Sequence, residues 1–595
     1  MPEYPWPNLV TMFFDQAEKH GDKPFLWAKE DGAYQSRSWT ETAHDISALA
    51  RGLKSLGVGE GDRVVLVSEN RPEWLIAELA IISAGAIPVP AYTTNLVSDH
   101  THILSNSGAV GALVSTGKLA ENLIPAAHQS DSARFVIGME HLEADQPVNA
   151  ELLDWPAVLE RGRDDPDTVR EAARDIGTDR TAVIIYTSGT GGAPKGVMLS
   201  HRAILHNCAG ALHAIEQMGI GEEVFLSFLP LSHSYEHMAG QFFPISIGAQ
   251  IYYAEGAEHL SRNMPEARPT MMTAVPRLYE LLYSRITKGV ADAGGLKQKL
   301  FNKAVELGIK KFHDPNSLTV GERIVDRVVD KLVRDKVRAN FGGRLRVLVS
   351  GGAPLNQDIG MFFTGLGLNL LQGYGLTESA PLISVNLPDK IKMHTVGPPV
   401  INTEVRIAED GEILVRGDLV MQGYWQNAEA TAETIRDGWL HTGDVGSIDE
   451  DGFIEITDRK KDIIVNSGGD NVSPQRVEGF LALEPEIAQA MVYGDKRPHL
   501  VAVLVPDEEF AKEWAKTNGV TDNFEDLADN KEFVGVLAES VDRVNGGLST
   551  IERVRRFIVA TEAFSIENEM MTPSLKVRRF KVIEKYGDAL EALYR

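Results

Sequence analysis

The chain has 595 residues, of which 43% are hydrophobic, 24% are charged and one is cysteine, and its formal net charge is −25 at pH 7. This much apolar material is enough for more than one core, because single cores stop growing near ~250–300 residues, and the charged share is that of an ordinary folded protein. The acidic balance excludes a general nucleic-acid binder, since phosphate backbones need a basic face, and the lone cysteine excludes an internal disulfide framework.

Location signals are weak along the whole sequence. The start, MPEYPWPNLV, has neither a basic segment nor an apolar core, so we predict no secretory leader. The most apolar stretch, residues 75–91, is interrupted by Glu78 and by prolines, so no span of ~20 apolar residues exists. Cys208 lies in an apolar helical run, which predicts a buried core residue in a reducing compartment. We therefore expect a cytoplasmic protein, and peripheral contact with the inner face of a membrane and a homodimer remain open alternatives.

The first 400 residues alternate between short β-rich runs and amphipathic helices. Residues 63–67 predict a strand followed by a helix over 73–84, and the β-rich runs at 181–186 and 345–350 each lead into a glycine turn. Strand–turn–helix alternation of this kind is typical of α/β layers. We therefore predict a large, multi-layered domain with parallel sheets.

The pattern changes from about Glu412, where short strands are separated by Asp and Gly turns. We predict a small β-rich subdomain at about 395–458 within an N-terminal domain of residues 1–458. The charged segment DRKKD at 458–462 has the short, polar character of a hinge, which we place at 459–461. A small, mobile α+β domain is predicted for 462–595.

A basic helical segment covers residues 297–346 and carries apolar residues at helical spacing, namely Ile324, Val328, Leu332 and Val333. One interpretation is a packed helix with a solvated basic face. The other is a surface that meets anionic lipid or phosphates.

The strongest chemical signal is the segment YTSGTGGAPKG at residues 186–196. It follows a predicted strand and precedes a helix predicted to start near Ser200. Hydroxyls, exposed backbone N–H groups and Lys195 would together form a phosphate cradle, although the spacing is not that of a Walker loop. A surface turn is the alternative interpretation.

This segment resembles the phosphate loop of the adenylate-forming acyl-CoA synthetase superfamily, which includes firefly luciferase and peptide-synthetase adenylation domains. The family usually has a second threonine where this chain has Gly191. The resemblance implies that ATP is bound here by Thr187, Ser188, Gly189, Thr190 and Lys195.

Two further family motifs follow in order. The loop SGGAP at 350–354 resembles the strand-end loop that borders adenine and the acyl pocket, which implies ATP contacts from Gly351 and Gly352.

The segment QGYGLTE at 372–378 resembles the adenine and magnesium motif. The resemblance implies that Tyr374 stacks on adenine, Thr377 holds the α-phosphate, and Glu378 with Thr187 binds Mg²⁺, a cation that prefers oxygen ligands. The remaining ATP-binding residues that it implies in this motif are Gln372, Gly373 and Gly375.

The last third of the chain completes the set of motifs. HTGD at 441–444 resembles the ribose motif, which implies that Asp444 accepts the ribose hydroxyls, while Arg459 contacts the nucleotide and Lys461 is the hinge pivot. The resemblance also implies that Gly468 and Gly469 line the coenzyme A tunnel. TPSLK at 572–576 resembles the mobile catalytic lysine loop, so Lys576 is the predicted catalytic lysine and a further ATP contact, acting with Thr187 and Glu378.

The segment HSYEH at 233–237 matches H-x-x-E-H, an inverted zinc-protease motif. Two histidines at this spacing can share a metal on a helix, but a third ligand cannot be placed. In the family resemblance, His233 and Tyr235 instead wall the acyl pocket together with Gly352 and Gly375. No G-x-S-x-G elbow supports a serine hydrolase.

The resemblance extends from about Trp39 to Arg579 and implies a long-chain fatty acid–CoA ligase that uses ATP, Mg²⁺, a fatty acid and coenzyme A. The long-chain subclass is favoured by AVPRLYE at 274–280, by the basic helical segment and by residues 572–579. Alternatives within the superfamily are a fatty acyl-AMP ligase or acyl-carrier-protein synthetase and a CoA ligase for a medium-chain or aryl acid. A silent acyl- or nucleotide-binding protein and a luciferase-like oxidising enzyme are the alternatives of other classes.

Overall fold

The computed structural model describes residues 4–143, 148–163, 167–187, 193–572 and 576–595. Strands and helices alternate through most of these residues, as the sequence predicts. The strands are β1 (Pro24–Glu30), β2 (Ala33–Ser38), β3 (Arg63–Val67), β4 (Ile87–Ala91), β5 (Gly111–Val114), β6 (Phe135–Gly138), β7 (Glu151–Asp154), β8 (Thr181–Thr187), β9 (Lys195–Ser200), β10 (Val224–Ser227), β11 (Gln250–Tyr253), β12 (Met271–Ala274), β13 (Val347–Ser350), β14 (Leu370–Gly375), β15 (Leu382–Val385), β16 (Glu404–Ile407), β17 (Glu412–Arg416), β18 (Gly423–Tyr424), β19 (Ile435–Arg436), β20 (Trp439–Ile448), β21 (Ile454–Arg459), β22 (Ile464–Val465), β23 (Asn471–Val472), β24 (Ile487–Tyr493), β25 (Leu500–Pro506) and β26 (Val554–Val559).

The helices range from single turns to five turns. They are α1 (Leu9–His20), α2 (Trp39–Ser55), α3 (Pro72–Ser83), α4 (Val97–Ser107), α5 (Gly117–Gln129), α6 (Trp155–Arg163), α7 (Val169–Ala173), α8 (His201–Ile215), α9 (Ser234–Glu236), α10 (Phe243–Ile247), α11 (Leu260–Ala267), α12 (Pro276–Ala293), α13 (Gly295–His313), α14 (Val320–Val329), α15 (Asp335–Asn340), α16 (Gln357–Gly365), α17 (Ala428–Thr434), α18 (Pro474–Leu481), α19 (Glu508–Asn518), α20 (Phe524–Asp529), α21 (Lys531–Gly547) and α22 (Arg579–Ala592). Short 3₁₀ turns lie at Glu216–Met218, Ala257–His259 and Thr377–Ser379, and π-helical turns at His237–Phe242 and Asp330–Arg334. Among the described residues, no helix combines the length and apolar character that crossing a membrane requires.

Two sheets confirm the predicted α/β layers. One has five strands in the order β4-β3-β5-β6-β7, all parallel. The other has eight strands in the order β15-β14-β13-β12-β10-β11-β1-β2, and its pairs from β14 to β1 are parallel. Ligands of open parallel sheets bind at the carboxyl ends of the strands. The loops that follow β10, β12, β13 and β14 therefore meet at one edge of this sheet.

The predicted phosphate cradle lies between two antiparallel strands. β8 and β9 form a hairpin in which Thr187 pairs with Lys195. The helix predicted to start near Ser200 is confirmed, because α8 begins at His201, but the strand β9 between the cradle and this helix was not predicted. Val197 and Leu199 alternate into the core, and this period of two stabilises a strand. The Ser200 side chain caps α8 by accepting the backbone N–H of Ala203.

The predicted β-rich module is present as a five-stranded antiparallel sheet of β16, β17, β19, β20 and β21. The following part of the chain forms a smaller α+β unit around β24, β25 and β26. Its two apolar clusters draw their residues from between Ile464 and Tyr594. These findings confirm the fold class, and Cys208 is buried in the core of the large part as predicted.

The basic segment at 297–346 is helical, but its packing differs from the first interpretation. α14, the π turn at Asp330–Arg334 and α15 follow one another as a continuous helix. Ile324, Val328 and Leu332 are exposed, and only Val333 of the four apolar residues packs against the core. The interpretation as a packed apolar stripe is therefore wrong for three of its four residues.

Close approach of α13 to the end of α16 fixes this helical segment to the core. A Cβ atom built on Gly308 would lie 2.0 Å from the carbonyl oxygen of Gly365. We expect Gly308→Ala to force the two helices apart and to lower the free energy of unfolding by about 1–3 kcal/mol. Thermal and urea unfolding of the full chain measure this loss.

Gly321, on α14, is the matched control, because a Cβ there meets nothing within 4 Å. Gly321→Ala should leave stability unchanged or raise it by up to ~1 kcal/mol, since alanine favours helix. Equal effects of the two substitutions would contradict the packing argument.

Candidate active site

A cleft of about 2040 Å³ opens at the carboxyl edge of the eight-stranded sheet, under the β-rich module and the C-terminal unit. This volume exceeds the ~300–1,000 Å³ of an ordinary ligand pocket, so the cleft has room for more than one substrate. Most of the residues predicted for the site line it, namely Thr187, His233, Tyr235, Gly351, Gly352, Gln372, Gly373, Tyr374, Gly375, Thr377, Glu378, Asp444, Arg459, Lys461 and Lys576. The structure thus brings together side chains that are almost 400 residues apart in the sequence.

Other predicted residues lie elsewhere. Gly468 and Gly469 occupy the exposed turn between β22 and β23 and are not among the described residues that line the cleft. Lys195 is exposed and is not among the described residues that line the cleft, and its ammonium lies 5.0 Å from the centre of the Tyr424 ring. The Tyr424 hydroxyl in turn donates to a Glu378 carboxylate oxygen at 2.8 Å, so Tyr424 connects Lys195 to a residue that lines the cleft. The predicted residues Ser188, Gly189 and Thr190 lie outside the described residues.

Asp444 holds together three parts of the chain. Its two carboxylate oxygens accept the hydroxyl of Tyr374 at 2.6 Å and the Nε–H of Arg459 at 3.1 Å. Cross-strand pairing of Asp444 with Arg459 in β20 and β21 sets this contact, and Tyr374 reaches it from β14. Burial and the neighbouring carboxylate raise the pKa of the Tyr374 hydroxyl, which therefore stays protonated as a donor. The result is a fixed, negatively charged acceptor on the cleft wall.

Lys576 projects into the same cleft from the C-terminal unit. It is exposed to the cleft space, but the surrounding walls desolvate its ammonium, and with Arg459 nearby they lower its pKa to about 8, against the opposing influence of Asp444 and Glu378. Burial, with Lys576 as a second cause, lowers the pKa of His233 to about 4. At neutral pH the cleft therefore contains a neutral imidazole and a cation that is close to titrating.

The loop that carries Lys576 is anchored on both sides. Met571 and Val577 pair in an antiparallel bridge, and the backbone N–H of Lys576 donates to the Thr572 hydroxyl at 3.0 Å. Three residues further on, Arg579 donates to Glu478 at 2.5 Å and to the Val492 carbonyl at 3.1 Å. The lysine is thereby attached to the body of the C-terminal unit.

The H-x-x-E-H residues do not converge on a common point. Glu236 accepts hydroxyls from Ser227 at 2.7 Å and Thr273 at 2.6 Å, and burial raises its pKa to about 7. His237 is bonded to Glu78 of α3 at 2.5 Å. Among the described residues, no group of three or more His, Cys, Asp and Glu side chains could hold a metal. The motif therefore stabilises the core around the cleft.

His233, Ser234 and Tyr235 form the part of this motif that faces the cleft. The hydroxyls of Ser234 and Thr377 lie 3.0 Å apart, and Tyr235 donates to the Val349 carbonyl at 2.9 Å. A Cβ atom on Gly351 would lie 3.0 Å from the Tyr235 ring, so a residue without a side chain lets the ring lie against β13.

Beyond Tyr235 the cleft continues between α8 and the eight-stranded sheet, and its walls there are apolar. These wall residues were not predicted from the sequence; they are Ala211, Ala214, Ile215, Phe225, Met238, Phe243, Met271, Val347, Val349 and Leu371. Ala211, Ala214 and Ile215 follow the i, i+3, i+4 spacing of one helix face. That spacing is a signal for burial, and it does not distinguish a pocket wall from a core.

Comparison with solved structures defines the class of fold. The adenylation domain of a carboxylic acid reductase from Segniliparus rugosus, in complex with AMP and a carboxylic acid, superposes with a TM-score of 0.78 at 22% identity, covering 99% of this chain and 94% of that one. The anthranilate CoA ligase AuaEII, in complex with anthranoyl-AMP, gives a TM-score of 0.73 at 19% identity, covering 99% of both chains. The fold is therefore that of adenylate-forming enzymes.

Sequence comparison then places the chain within a family. The model of the AMP-binding enzyme family matches residues 13–425, and that of the AMP-binding enzyme C-terminal domain matches residues 461–595. The long-chain-fatty-acid–CoA ligase FadD15 of Mycobacterium bovis is 35% identical over 99% of this chain and 97% of its own length. Long chain acyl-CoA synthetase 3 of Arabidopsis thaliana is 30% identical over 100% and 93%, respectively. The chain belongs to the AMP-binding enzyme family, which confirms the resemblance found in its motifs.

The lowered pKa of Lys576 predicts a pH dependence. Below a pH of about 8 the free protein carries the ammonium, and above it the charge is lost. If the charge is needed, kcat/KM for ATP in acyl-adenylate formation should fall above about pH 8, because this parameter reports groups of the free enzyme. ATP–pyrophosphate exchange measured between pH 6 and pH 10 gives the profile.

The control is Lys576→Arg, whose guanidinium does not titrate in this range. This variant should lose the alkaline fall whatever its absolute rate. A fall that persists unchanged in Lys576→Arg would assign it to another group.

Proposed function

We propose that this protein is a long-chain fatty acid–CoA ligase that converts ATP, a fatty acid and coenzyme A into acyl-CoA, AMP and pyrophosphate. The observation that carries the proposal is the continuity of one cleft. Its polar end holds Asp444, Arg459 and Lys576, and its other end is walled by apolar side chains of α8 and the sheet. A fatty acid lying in the apolar end would present its carboxylate to a nucleotide at the polar end. Sequence identity of 35% and 30% to two long-chain acyl-CoA ligases, over nearly the full length of the chain, supports a long-chain fatty acid as the substrate.

The first half reaction joins two anions. A carboxylate oxygen forms a bond to the α-phosphorus of ATP, and the bond to the bridging oxygen breaks as pyrophosphate leaves. The barrier is largely electrostatic, and preorganised positive charge lowers it without reorganisation. We assign this charge to Lys576, assisted by Arg459, and the nucleotide contacts to Asp444 through the ribose and to Tyr374 through adenine.

Magnesium fits the groups present at Glu378. This carboxylate faces the cleft with one oxygen held by the Tyr424 hydroxyl, and Thr187 supplies a hydroxyl in the same cleft. Mg²⁺ is usually bound by one or two carboxylates together with waters and substrate phosphates, so a single glutamate is sufficient. We propose that Glu378 and Thr187 hold the ion, which when bound would supply further positive charge beside the phosphates.

The second half reaction requires a different arrangement. The thiolate of coenzyme A attacks the acyl carbonyl and AMP leaves, but Lys576 lies in the cleft in this structure, and the predicted tunnel residues Gly468 and Gly469 lie outside it. We propose that residues 462–595 rotate on residues 459–461 against residues 1–458, with Lys461 as the pivot. Lys461 lies in the turn directly after β21, where backbone dihedrals can change without breaking the sheet.

Separate assays of the two half reactions test this assignment. We expect Lys576→Ala to lower acyl-adenylate formation by ~10²–10³, the usual loss for one preorganised electrostatic donor. Thioester formation from supplied palmitoyl-AMP and coenzyme A should stay near the wild-type rate. Pyrophosphate release and thioester yield measure the two steps.

Lys496→Ala is the control, since Lys496 is on the same C-terminal unit but is not among the described residues that line the cleft. An equal loss in both half reactions of Lys576→Ala would contradict the proposed role. Thioester formed on a carrier protein and not on coenzyme A would assign the alternative acceptor.

The apolar end of the cleft predicts how acyl length is limited. Ala214 of α8 lines it, and Ala214→Leu should fill part of this space. Turnover of palmitate should fall about tenfold or more, while turnover of octanoate should stay unchanged. The steric cost of the larger side chain, ~1–3 kcal/mol, applies only to acyl chains long enough to reach this residue. A CoA-thioester assay over acids from acetate to stearate measures the length profile.

Ala209→Leu, on the same helix but not among the described residues that line the cleft, should leave the profile unchanged. A uniform loss over all chain lengths in Ala214→Leu would show that the acyl chain lies elsewhere.

A further inference from the structure

The outer face of the continuous helix made by α14, the π turn and α15 is an exposed aliphatic stripe. Val320 is 77% exposed, Ile324 61%, Val328 48% and Leu332 50%, and they follow one another at intervals of four residues. Contiguous exposed apolar surface of this kind is uncommon on a protein that is fully packed on itself, and it marks contact sites. We call these four residues the aliphatic stripe.

The charges of this helix are sorted between its two faces. Arg323, Arg327 and Lys331 are exposed beside the aliphatic stripe. The acidic residues of the same turns point the other way and have partners: Glu322 bonds Lys310 at 2.8 Å, Asp326 pairs with Arg334 at 2.7 Å, and Asp330 pairs with Arg338 at 3.1 Å. The outward face therefore presents aliphatic and basic side chains together.

The surrounding segment has the opposite charge balance to the rest of the protein. Residues 295–346 contain 13 Lys and Arg but 6 Asp and Glu, an excess of seven positive charges within a chain of net charge −25. A local positive field on an acidic protein attracts an anionic partner to this region and orients the molecule as it approaches.

We propose that this face docks the protein on a bilayer that contains anionic lipids. An amphipathic helix with aliphatic residues on one side and Lys and Arg beside them lies in the plane of a membrane interface, with the apolar side chains in the acyl boundary and the cations at the headgroups. A second copy of this chain fits the face less well, because a two-fold contact would bring the same basic residues, Arg327 and Lys331, against the basic flank of the copy.

The docking face is connected through packed helices to the lining of the cleft. The first two turns of α12 contribute Pro276, Arg277 and Glu280 to the cleft lining. α12 packs on α13, and α13 packs on α14 through Ala304, Leu307 and Val329. α13 therefore joins the helix that carries the docking face to the helix that lines the cleft, and docking would hold the cleft near the lipid surface, where fatty acids partition. The docking proposal itself rests only on the face and would hold for any activity of the cleft.

Sedimentation of the full chain with vesicles, without ATP or fatty acid, tests the proposal. We expect the wild type to bind vesicles of phosphatidylcholine and phosphatidylglycerol at about three to one, to bind pure phosphatidylcholine weakly, and to dissociate as salt rises. Arg327→Gln with Lys331→Gln should weaken binding by about 30-fold, since each basic residue near an anionic surface contributes about fivefold. Ile324→Ser with Val328→Ser should weaken it by tenfold or more.

The matched controls lie on the C-terminal unit. Lys516→Gln with Lys531→Gln removes the same charge from exposed positions, and Val520→Ser removes an aliphatic residue that is 41% exposed. Both should bind as the wild type does, and all variants should turn over dissolved octanoate normally. Binding that does not distinguish anionic from neutral vesicles, or stripe variants that bind as well as the controls, would overturn the proposal. So would a dimer in sedimentation equilibrium that Ile324→Ser with Val328→Ser dissociates while the wild type ignores vesicles.

Discussion

The contacts of the Asp444 carboxylate link the elements on which the site depends. This one side chain ties Tyr374, at the carboxyl end of β14, to Arg459, the last residue of β21. The Asp444 side chain therefore fixes the position of the parallel sheet relative to the β-rich module and to the start of the proposed hinge. A buried carboxylate is costly unless its oxygens are bonded, and here each oxygen has a donor. Because the donors come from different layers, loosening any one layer would expose an unsatisfied charge.

The same constraint shapes the electrostatics of the cleft. Asp444 and Glu378 stabilise the Lys576 ammonium, whereas desolvation and Arg459 destabilise it, and the balance leaves the pKa at about 8. At neutral pH the ammonium is still charged, and its poor hydration in the cleft favours interaction with an arriving polyanion. The neutral His233 beside it adds no competing positive charge. Anion binding against a net charge of −25 is thus achieved locally, by a few groups on facing walls.

Much of the fold and most of the site could be predicted from the sequence, for identifiable reasons. Buried strands such as residues 63–67 are continuous aliphatic runs bounded by turns, and such runs can be recognised in the sequence. The family motifs, found in the expected order, identified Glu378, Asp444 and Lys576, which all line one cleft. The β9 strand was missed because its period of two extends over only six residues next to a glycine-rich segment. The apolar end of the cleft was missed, and the two interpretations of the basic helical segment could not be decided, for the same physical reason. Helical periodicity shows which residues share a face, and only the packed neighbours decide whether that face meets a core, a cavity or the outside.

The anchoring of the Lys576 loop has a mechanical consequence. A bridge between Met571 and Val577 and the bonds of Arg579 to Glu478 and Val492 join the segment to the sheet and helices behind it. The proposed rotation of residues 462–595 would therefore carry Lys576 out of the cleft together with the unit behind it, and the lysine would leave without breaking the contacts that hold its own segment.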